Sequence, residues 1–167
     1  MVEDRKTLVV FHSVSGNTKK VAEAITEALS ADVEQIQEVK PRPVDIKAGG
    51  LGNFLNMGRV VFAAMSGRAV PIKDVRHDPA DYDLVVIGTP VYAGAAAGPV
   101  WAYIKQYGSE FKAVAFFCTG EDPHNEKVFV KMEETAGKAP RAVFPFHAPK
   151  VKEGEFGPQV EEFVAKL

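Results

Sequence analysis

The residues best suited to chemistry cluster near the N-terminus, in the run Ser13-Val14-Ser15-Gly16-Asn17-Thr18. Ser13, Ser15 and Thr18 can each donate a hydroxyl hydrogen bond, Asn17 can donate from its amide, and Gly16 lets the backbone approach an oxygen with no Cβ in the way. The run holds no Lys or Arg. It suits an anion, a phosphate in particular, bound by dipoles and hydrogen bonds that leave much of the ligand's negative charge in place. The plainer reading is that Ser15 or Asn17 only caps a helix. Two further stretches carry related chemistry: Thr89-Pro90-Val91-Tyr92-Ala93-Gly94 and Cys118-Thr119-Gly120-Glu121-Asp122-Pro123. Tyr92 offers a flat aromatic face, and Ala93 and Gly94 leave backbone amides approachable. Alone, Tyr92 reads as an ordinary loop aromatic; beside the first run it reads as a stacking surface.

Each stretch follows an apolar run that must position it. Leu8-Val9-Val10-Phe11 is too short for a helix and suits a strand buried on both faces, over residues 7–11. Val21, Ala22, Ile25, Ala28 and Leu29 then recur at helical spacing, predicting a helix over 17–30. A strand, a polar loop and a helix in that order bring the helix's unpaired N–H groups and the positive end of its dipole over the strand's C-terminal edge, which makes an anion site. Residues 32–37 alternate apolar with polar, as a half-exposed edge strand does, and Pro41 and Pro43 then stop regular structure. The region 47–71 is the hardest to read. After Gly49, Gly50 and Gly52, the residues Phe54, Leu55, Met57, Val60, Val61, Ala64 and Met65 predict a helix whose broad apolar stripe packs on the sheet, or in part lies against a cofactor or partner.

Residues 83–88 predict a third strand and 99–107 a helix, with Pro99 in its first turn and Trp101 as a packing residue. Residues 112–117 predict a fourth strand, and 125–136 a helix closed by Gly137. Residues 142–146, with Pro145, suit a fifth strand at an edge, and 158–166 a last helix. Strands alternating with helices imply an α/β fold with a parallel sheet, right-handed crossovers and helices on both faces. Ligands bind such sheets beyond the carboxyl ends of the strands, where the three polar stretches converge.

Val9 to Thr18, continued by Ala22 and Ile25, resembles the signature of flavodoxins and flavodoxin-like proteins, whose first loop binds the FMN phosphate. It is neither a Walker loop, lacking Gly-Lys-Ser/Thr, nor the Gly-x-Gly-x-x-Gly dinucleotide loop. Thr89 to Gly94, followed by Pro99-Val100, is similar to the family's flavin-stacking loop, and Thr119-Gly120 to the loop facing the ring's other side and pyrimidine edge. The resemblance covers nearly the whole chain, with the motifs in order. It implies one domain over residues 1–167, a three-layer sandwich with a five-stranded parallel sheet in the order 2-1-3-4-5, and FMN held without a covalent bond. The binding residues it implies are Ser13, Val14, Ser15, Gly16, Asn17 and Thr18; Thr89, Pro90, Val91, Tyr92, Ala93 and Gly94; and Cys118, Thr119, Gly120 and Glu121. It implies no metal and no catalytic residue. The activity implied is one-electron shuttling between redox proteins such as reductases and ferredoxin-linked enzymes.

One departure concerns the ring. Many flavodoxins sandwich it between a Trp and a Tyr, whereas here Tyr92 is the sole aromatic of its loop and residues 118–125 offer only His124. The second face then falls to an aliphatic group, His124, Phe54 or Met57. Glu121 and Asp122 near the rim, with the uncompensated phosphate, make an anionic reduced flavin costlier; Lys19 and Lys20 act weakly the other way. If Ala93 is the residue required to take φ > 0, its turn is strained and the first reduction step is less favoured.

The nearest rival reading is an FMN-dependent NAD(P)H:quinone-type reductase on the same fold. A response-regulator receiver needs acidic residues where His12-Ser13 stand, and a low-molecular-weight phosphatase needs Arg where His124 follows Cys118. With 20 Lys plus Arg against 22 Asp plus Glu among 167 residues, the formal charge of −2 gives no footprint for nucleic acid. The lone Cys118 excludes an internal disulfide and reads as a small buried thiol, so the cytoplasm is the expected compartment. Met1 to Lys6 is charged and lacks a signal peptide's apolar core, and no apolar run approaches the about 20 residues that span a bilayer. His12, His77 and His147 show no metal spacing and are given no role.

Overall fold

The structure, a computed structural model, describes residues 4–41, 49–67 and 70–167. Pro43 and Lys47, and the first residues read for a signal peptide, lie outside them. Five parallel strands form the sheet: β1 (Thr7–Phe11), β2 (Asp32–Gln35), β3 (Leu84–Tyr92), β5 (Val114–Gly120) and β6 (Val143–His147), in the order β2-β1-β3-β5-β6. That is the order the resemblance implied. A short sixth strand not foreseen, β4 (Ala95–Ala96), pairs antiparallel with the end of β3.

The period of two along each strand separates two cores. Leu8, Val10, Val85 and Ile87 face α3 (Gly98–Tyr107) and α4 (Lys127–Ala136), meeting Trp101, Ile104, Phe129 and Met132. Val9, Phe11, Val86 and Phe117 face α1 (Asn17–Leu29) and α6 (Gly157–Val164), meeting Val21, Ile25 and Phe163. Trp101 is 1% exposed, a packing residue as expected.

Several boundaries differ from the sequence reading. β3 runs on through Tyr92 and β5 through Gly120, so most of the two stretches read as loops are strand. Their Thr, Gly and Pro residues mask the continuation, yet Thr89 pairs with Cys118 and Pro90 with Thr119 in the ladder. Pro90 lies beyond the last residue that β1 pairs, Gly88, so its missing N–H is tolerated near a strand end. α4 begins at Lys127; the last helix lies close to where it was expected, as α6, and a short helix not foreseen, α5 (Ala148–Glu153), precedes it and ends at Gly154 with φ 78°.

β2 ends at Gln35, and the following residues are held by chain from further on: Val39 N–H donates to Pro71 O (3.0 Å) and Lys73 N–H to Gln37 O (2.8 Å). Glu34, 5% exposed, fastens this flap. One carboxylate oxygen accepts from Arg76 N–H (3.0 Å), His77 N–H (3.1 Å) and His77 Nδ1 (2.7 Å). His77, assigned no role from sequence, is thus a partner of a buried carboxylate that covers the edge of β2.

α2 (Leu51–Met65) forms as a helix, but its apolar residues do not all pack on the sheet. Ala64 is 1% exposed, whereas Phe54 is 74% and Phe62 65% exposed. Leu51, Phe54, Leu55, Phe62 and Met65 share one outward face, opposite Ala64. The single stripe read from sequence is therefore the two sides of a helix that is apolar nearly all round.

Candidate functional site

The strand-loop-helix unit at the N-terminus puts the α1 start over the end of β1. Gly16 is the N-cap, at φ 92°, and neither Ser15 nor Asn17 caps with its side chain. Ser13 does that work from three residues upstream: its Oγ accepts from Gly16 N–H (3.2 Å) and Lys19 N–H (3.3 Å). Two of the helix's free donors are thereby satisfied, while the N–H groups of Asn17 and Thr18 are left off that hydroxyl at the positive end of the helix. Val14 and Ser15 stand exposed, and Asn17 and Thr18 are buried. No acidic side chain lies in the first turn, and the Lys19 ammonium sits outward, 3.7 Å from Glu23.

Thr18 ties this loop to the third stretch. Its Oγ1 lies 2.8 Å from Thr119 Oγ1, with both hydroxyls buried. Only one of the two protons is used in that bond, so the pair keeps one hydroxyl donor for a further acceptor.

The second stretch is a hairpin. Ala93 (φ 49°) and Gly94 (φ 78°) both take positive φ between Tyr92 and its ladder partner Ala95, the signature of a two-residue type I′ turn. Thr89 is fully buried at its base, donating to Pro90 O (2.8 Å) and accepting from Ala97 N–H (3.0 Å), which fixes the chain where α3 begins.

Between this hairpin and the β5–α4 connection lies a cleft of about 460 Å³, within the range of small-molecule sites. Val91, Ala93 and Gly94 line one side, and Gly120, Glu121, Asp122, His124, Asn125 and Lys127 the other. Gly120 has no room for a Cβ, which would run into the Asn125 amide. That amide donates to Asp122 O, closing the turn. Val91 and the turn wall the cleft, whereas Tyr92 does not line it; both Val91 and the half-buried Tyr92 pack in part against the core on the α3–α4 side. Glu121, read as a bare negative charge at the rim, is paired with Lys152 (2.7 Å), and its carbonyl lies 3.0 Å from His147 Nε2.

Burial sets the titrations around the rim. It holds the His12 imidazole below its ordinary value against the upward pull of the Ile36 carbonyl and Glu38, and it pushes Tyr92 up to about 12, helped by Glu38. It raises the Cys118 thiol well above its ordinary range, so Cys118 is the inert thiol expected. The signs give a prediction. His12, depressed in the fold, contributes stability present above pH 6.5 and lost as pH falls through its folded value. Tyr92, raised, contributes stability present below pH 10.0 and lost as pH rises toward about 12. Denaturant unfolding is expected to show a plateau between these limits, with His12→Asn flattening the acid limb; an identical acid limb in that variant contradicts the assignment.

The structure thus brings Ser13, Gly16, Asn17 and Thr18 to one helix end, joins Thr18 to Thr119, and sets Val91, Ala93, Gly94, Gly120 and Glu121 around one cleft. Thr89 and Cys118 lie beneath the rim, 0% exposed. Asp122, His124, Asn125 and Lys127 also line the cleft; of these, His124 was weighed for the ring's second face and Asp122 as a charge near the rim, whereas Asn125 and Lys127 were not singled out. The one sequence signal for Asn125 and Lys127 was their place at the short polar connection before α4. Among the described residues there is no His, Cys, Asp or Glu group that could hold a metal ion, and no helix long and apolar enough to cross a membrane.

Comparison with known proteins bears on the fold and the family. A flavoprotein from Lactobacillus acidophilus NCFM, solved in complex with FMN, is 23% identical, with a TM-score of 0.70 over 89% of this chain and 97% of its own. The apo form of the flavoprotein from the same organism is 22% identical, with a TM-score of 0.59 over 89% of this chain and 96% of its own. Both likenesses concern the fold. A curated relative from Archaeoglobus fulgidus, an NAD(P)H dehydrogenase (quinone), is 27% identical over 129 residues, covering 73% of this chain. The chain spans 65% of that relative's length. The family model described as Flavodoxin matches residues 6–144, and with most of its length so matched the chain belongs to the flavodoxin family.

Proposed function

We propose that this protein binds FMN non-covalently and carries electrons one at a time between redox proteins, with reductases and ferredoxin-linked enzymes as the partner class and the cytoplasm as its compartment. The observation that carries the reading is the Thr18–Thr119 hydroxyl pair, which joins the anion-binding helix end to the strand whose continuation lines the cleft. A phosphate at one and a flat ring at the other then belong to a single ligand. The residues fit FMN: Asn17 and Thr18 present helix N–H groups, Ser15 an exposed hydroxyl, and the Thr18–Thr119 pair a further donor. Bound FMN supplies the electron-transfer chemistry.

The protein's part is electrostatic and steric. The Ser13–Thr18 run carries no Lys or Arg, and the Lys19 ammonium lies 3.7 Å from Glu23, so the ligand's charge stays largely uncompensated and disfavours further negative charge on the ring. Glu121 adds less to that effect than its formal charge suggests, because Lys152 pairs with it. The Ala93–Gly94 turn contributes through its backbone. A non-glycine residue at φ 49° costs about 1 kcal/mol, so Ala93→Gly is expected to relax the turn and raise the first one-electron potential. Redox titration checks it; an unchanged first potential rejects a role for this turn.

A second reading, an FMN-dependent NAD(P)H:quinone reductase, is favoured by the name of the Archaeoglobus relative. The two separate in one experiment on the FMN-loaded protein. Steady NADPH consumption with a quinone supports the enzyme. Two resolved one-electron steps in a potentiometric titration, without such turnover, support the carrier.

A further inference from the structure

We propose that the outward face of α2 is a self-association surface, on which two copies of this chain meet as an antiparallel helix pair crossing at Gly58. The inference does not depend on the FMN reading above. Leu51, Phe54, Leu55, Phe62 and Met65 are each more than half exposed, while the opposite side of the helix, with Met57, Val60 and Ala64, is half-buried or buried where α2 meets β3, β4 and α3. Water is a poor neighbour for such a face. The exposed sides of α1, α4 and α6 carry Lys or Glu, whereas α2 has one charged residue, Arg59.

The spacing of the face is symmetric about its middle. Leu51 and Met65 stand seven residues either side of Gly58, and Phe54 and Phe62 four residues either side. At 3.6 residues per turn, all four lie within about 40° of the direction in which Gly58 faces. A two-fold axis at Gly58 therefore sets Phe54 of each copy against Phe62 of the other, and Leu51 against Met65. An isologous interface needs a patch complementary to itself, and this spacing supplies one. Glycine is disfavoured in a helix interior, and among the described residues nothing lies within 4 Å of where a Gly58 Cβ would stand, so the protomer gives no reason for it. At a crossing point the missing side chain lets two backbones approach closely.

The area also fits a second copy. The five side chains expose on the order of 600 Å² between them, at the upper limit for one patch on a monomer, and two copies joined there bury roughly 1,200 Å², the lower end for specific interfaces. A helix lying on a membrane would carry several Lys or Arg on its polar side; α2 has Arg59 alone, and its other side is packed on the fold.

Sedimentation velocity on the full chain over a series of concentrations tests the proposal. The expected result is a reversible dimer of twice 18.1 kDa, with a dissociation constant in the micromolar range. Phe62→Asp, at a position 65% exposed in the protomer, is expected to keep the parental circular dichroism and FMN affinity and to weaken the dimer at least about 100-fold. Gly58→Leu separates this crossing from general stickiness. It enlarges the apolar face yet blocks the close approach, so it is expected to weaken the dimer at least about tenfold. A parent that stays monomeric at its highest soluble concentration overturns the inference; if its Phe62→Asp variant also loses FMN, the face belongs to the flavin instead. A Phe62→Asp protein with the parental dimer, or a Gly58→Leu protein that associates as tightly as the parent or more tightly, overturns it too.

Discussion

A Ser15→Ala, Thr18→Ala double variant is expected to bind FMN roughly 100-fold more weakly than the parent, because each lost hydroxyl removes a hydrogen bond to a charged acceptor worth about 1.5–3 kcal/mol. The phosphate site has little else to fall back on. Lys19 leans to Glu23, and the Ser13 hydroxyl is engaged with two main-chain donors. The helix itself should survive, since Ser13 rather than Ser15 or Asn17 caps it, so circular dichroism is expected to be unchanged. Thr18 also pairs with Thr119, and a Thr119→Val variant separates the two effects: it breaks the pair while leaving Thr18 free to donate to the phosphate. Calorimetric titration with FMN gives the answer. A double variant with parental affinity shows that these hydroxyls do not touch the ligand.

The largest effect on stability is expected at Gly88, where a methyl group meets a fully buried ring. A Cβ built on Gly88 falls within the Phe117 ring, which β5 presents from the neighbouring strand. Phe117 cannot swing away freely, because Phe146 and Phe163 pack edge-on against it at 6.0 and 6.3 Å between centroids. Gly88→Ala is therefore expected to cost about 1–3 kcal/mol through overpacking. Phe117→Leu alone leaves a partly filled cavity and also destabilises, but it makes room for the new methyl. The double variant should therefore lose less than the sum of the single losses. Denaturant unfolding of the four proteins measures this coupling; strictly additive losses mean that the two side chains do not compete for one space.

The strands were legible where apolar residues run together, as at Leu8 to Phe11, and the α1 unit was legible because its hydroxyl loop separates two clear periodicities. The parallel order followed from the family resemblance. What escaped the sequence has physical causes. Thr89 and Pro90 read as loop because a strand end needs no strand formers once its neighbours supply the ladder. β4 is two alanines held by the Ala93–Gly94 turn and carries no signal of its own. The outward face of α2 could not be told from its inward one, as both are apolar. In the site, hydroxyl chemistry revealed Ser13 and Thr18 but not that Ser13 would spend its oxygen on the helix. The cleft was only half legible: its glycines were read as open backbone and His124 as one candidate for the ring's second face, whereas Asn125 and Lys127 line it beyond a turn fixed by Asp122, a contact between side chain and main chain that spacing does not announce.

The central claim is that the start of α1 holds a dianionic phosphate through hydroxyl and main-chain donors, with a flavin ring in the cleft beside it. Parallel calorimetric titrations of flavin-free protein with FMN and with riboflavin, which differ only in the phosphate, test it most directly. The account predicts uptake of FMN with an affinity at least about 100-fold above that for riboflavin, as loss of two or more charge-assisted hydrogen bonds requires. Equal affinity for the two flavins, or no uptake of either, contradicts it.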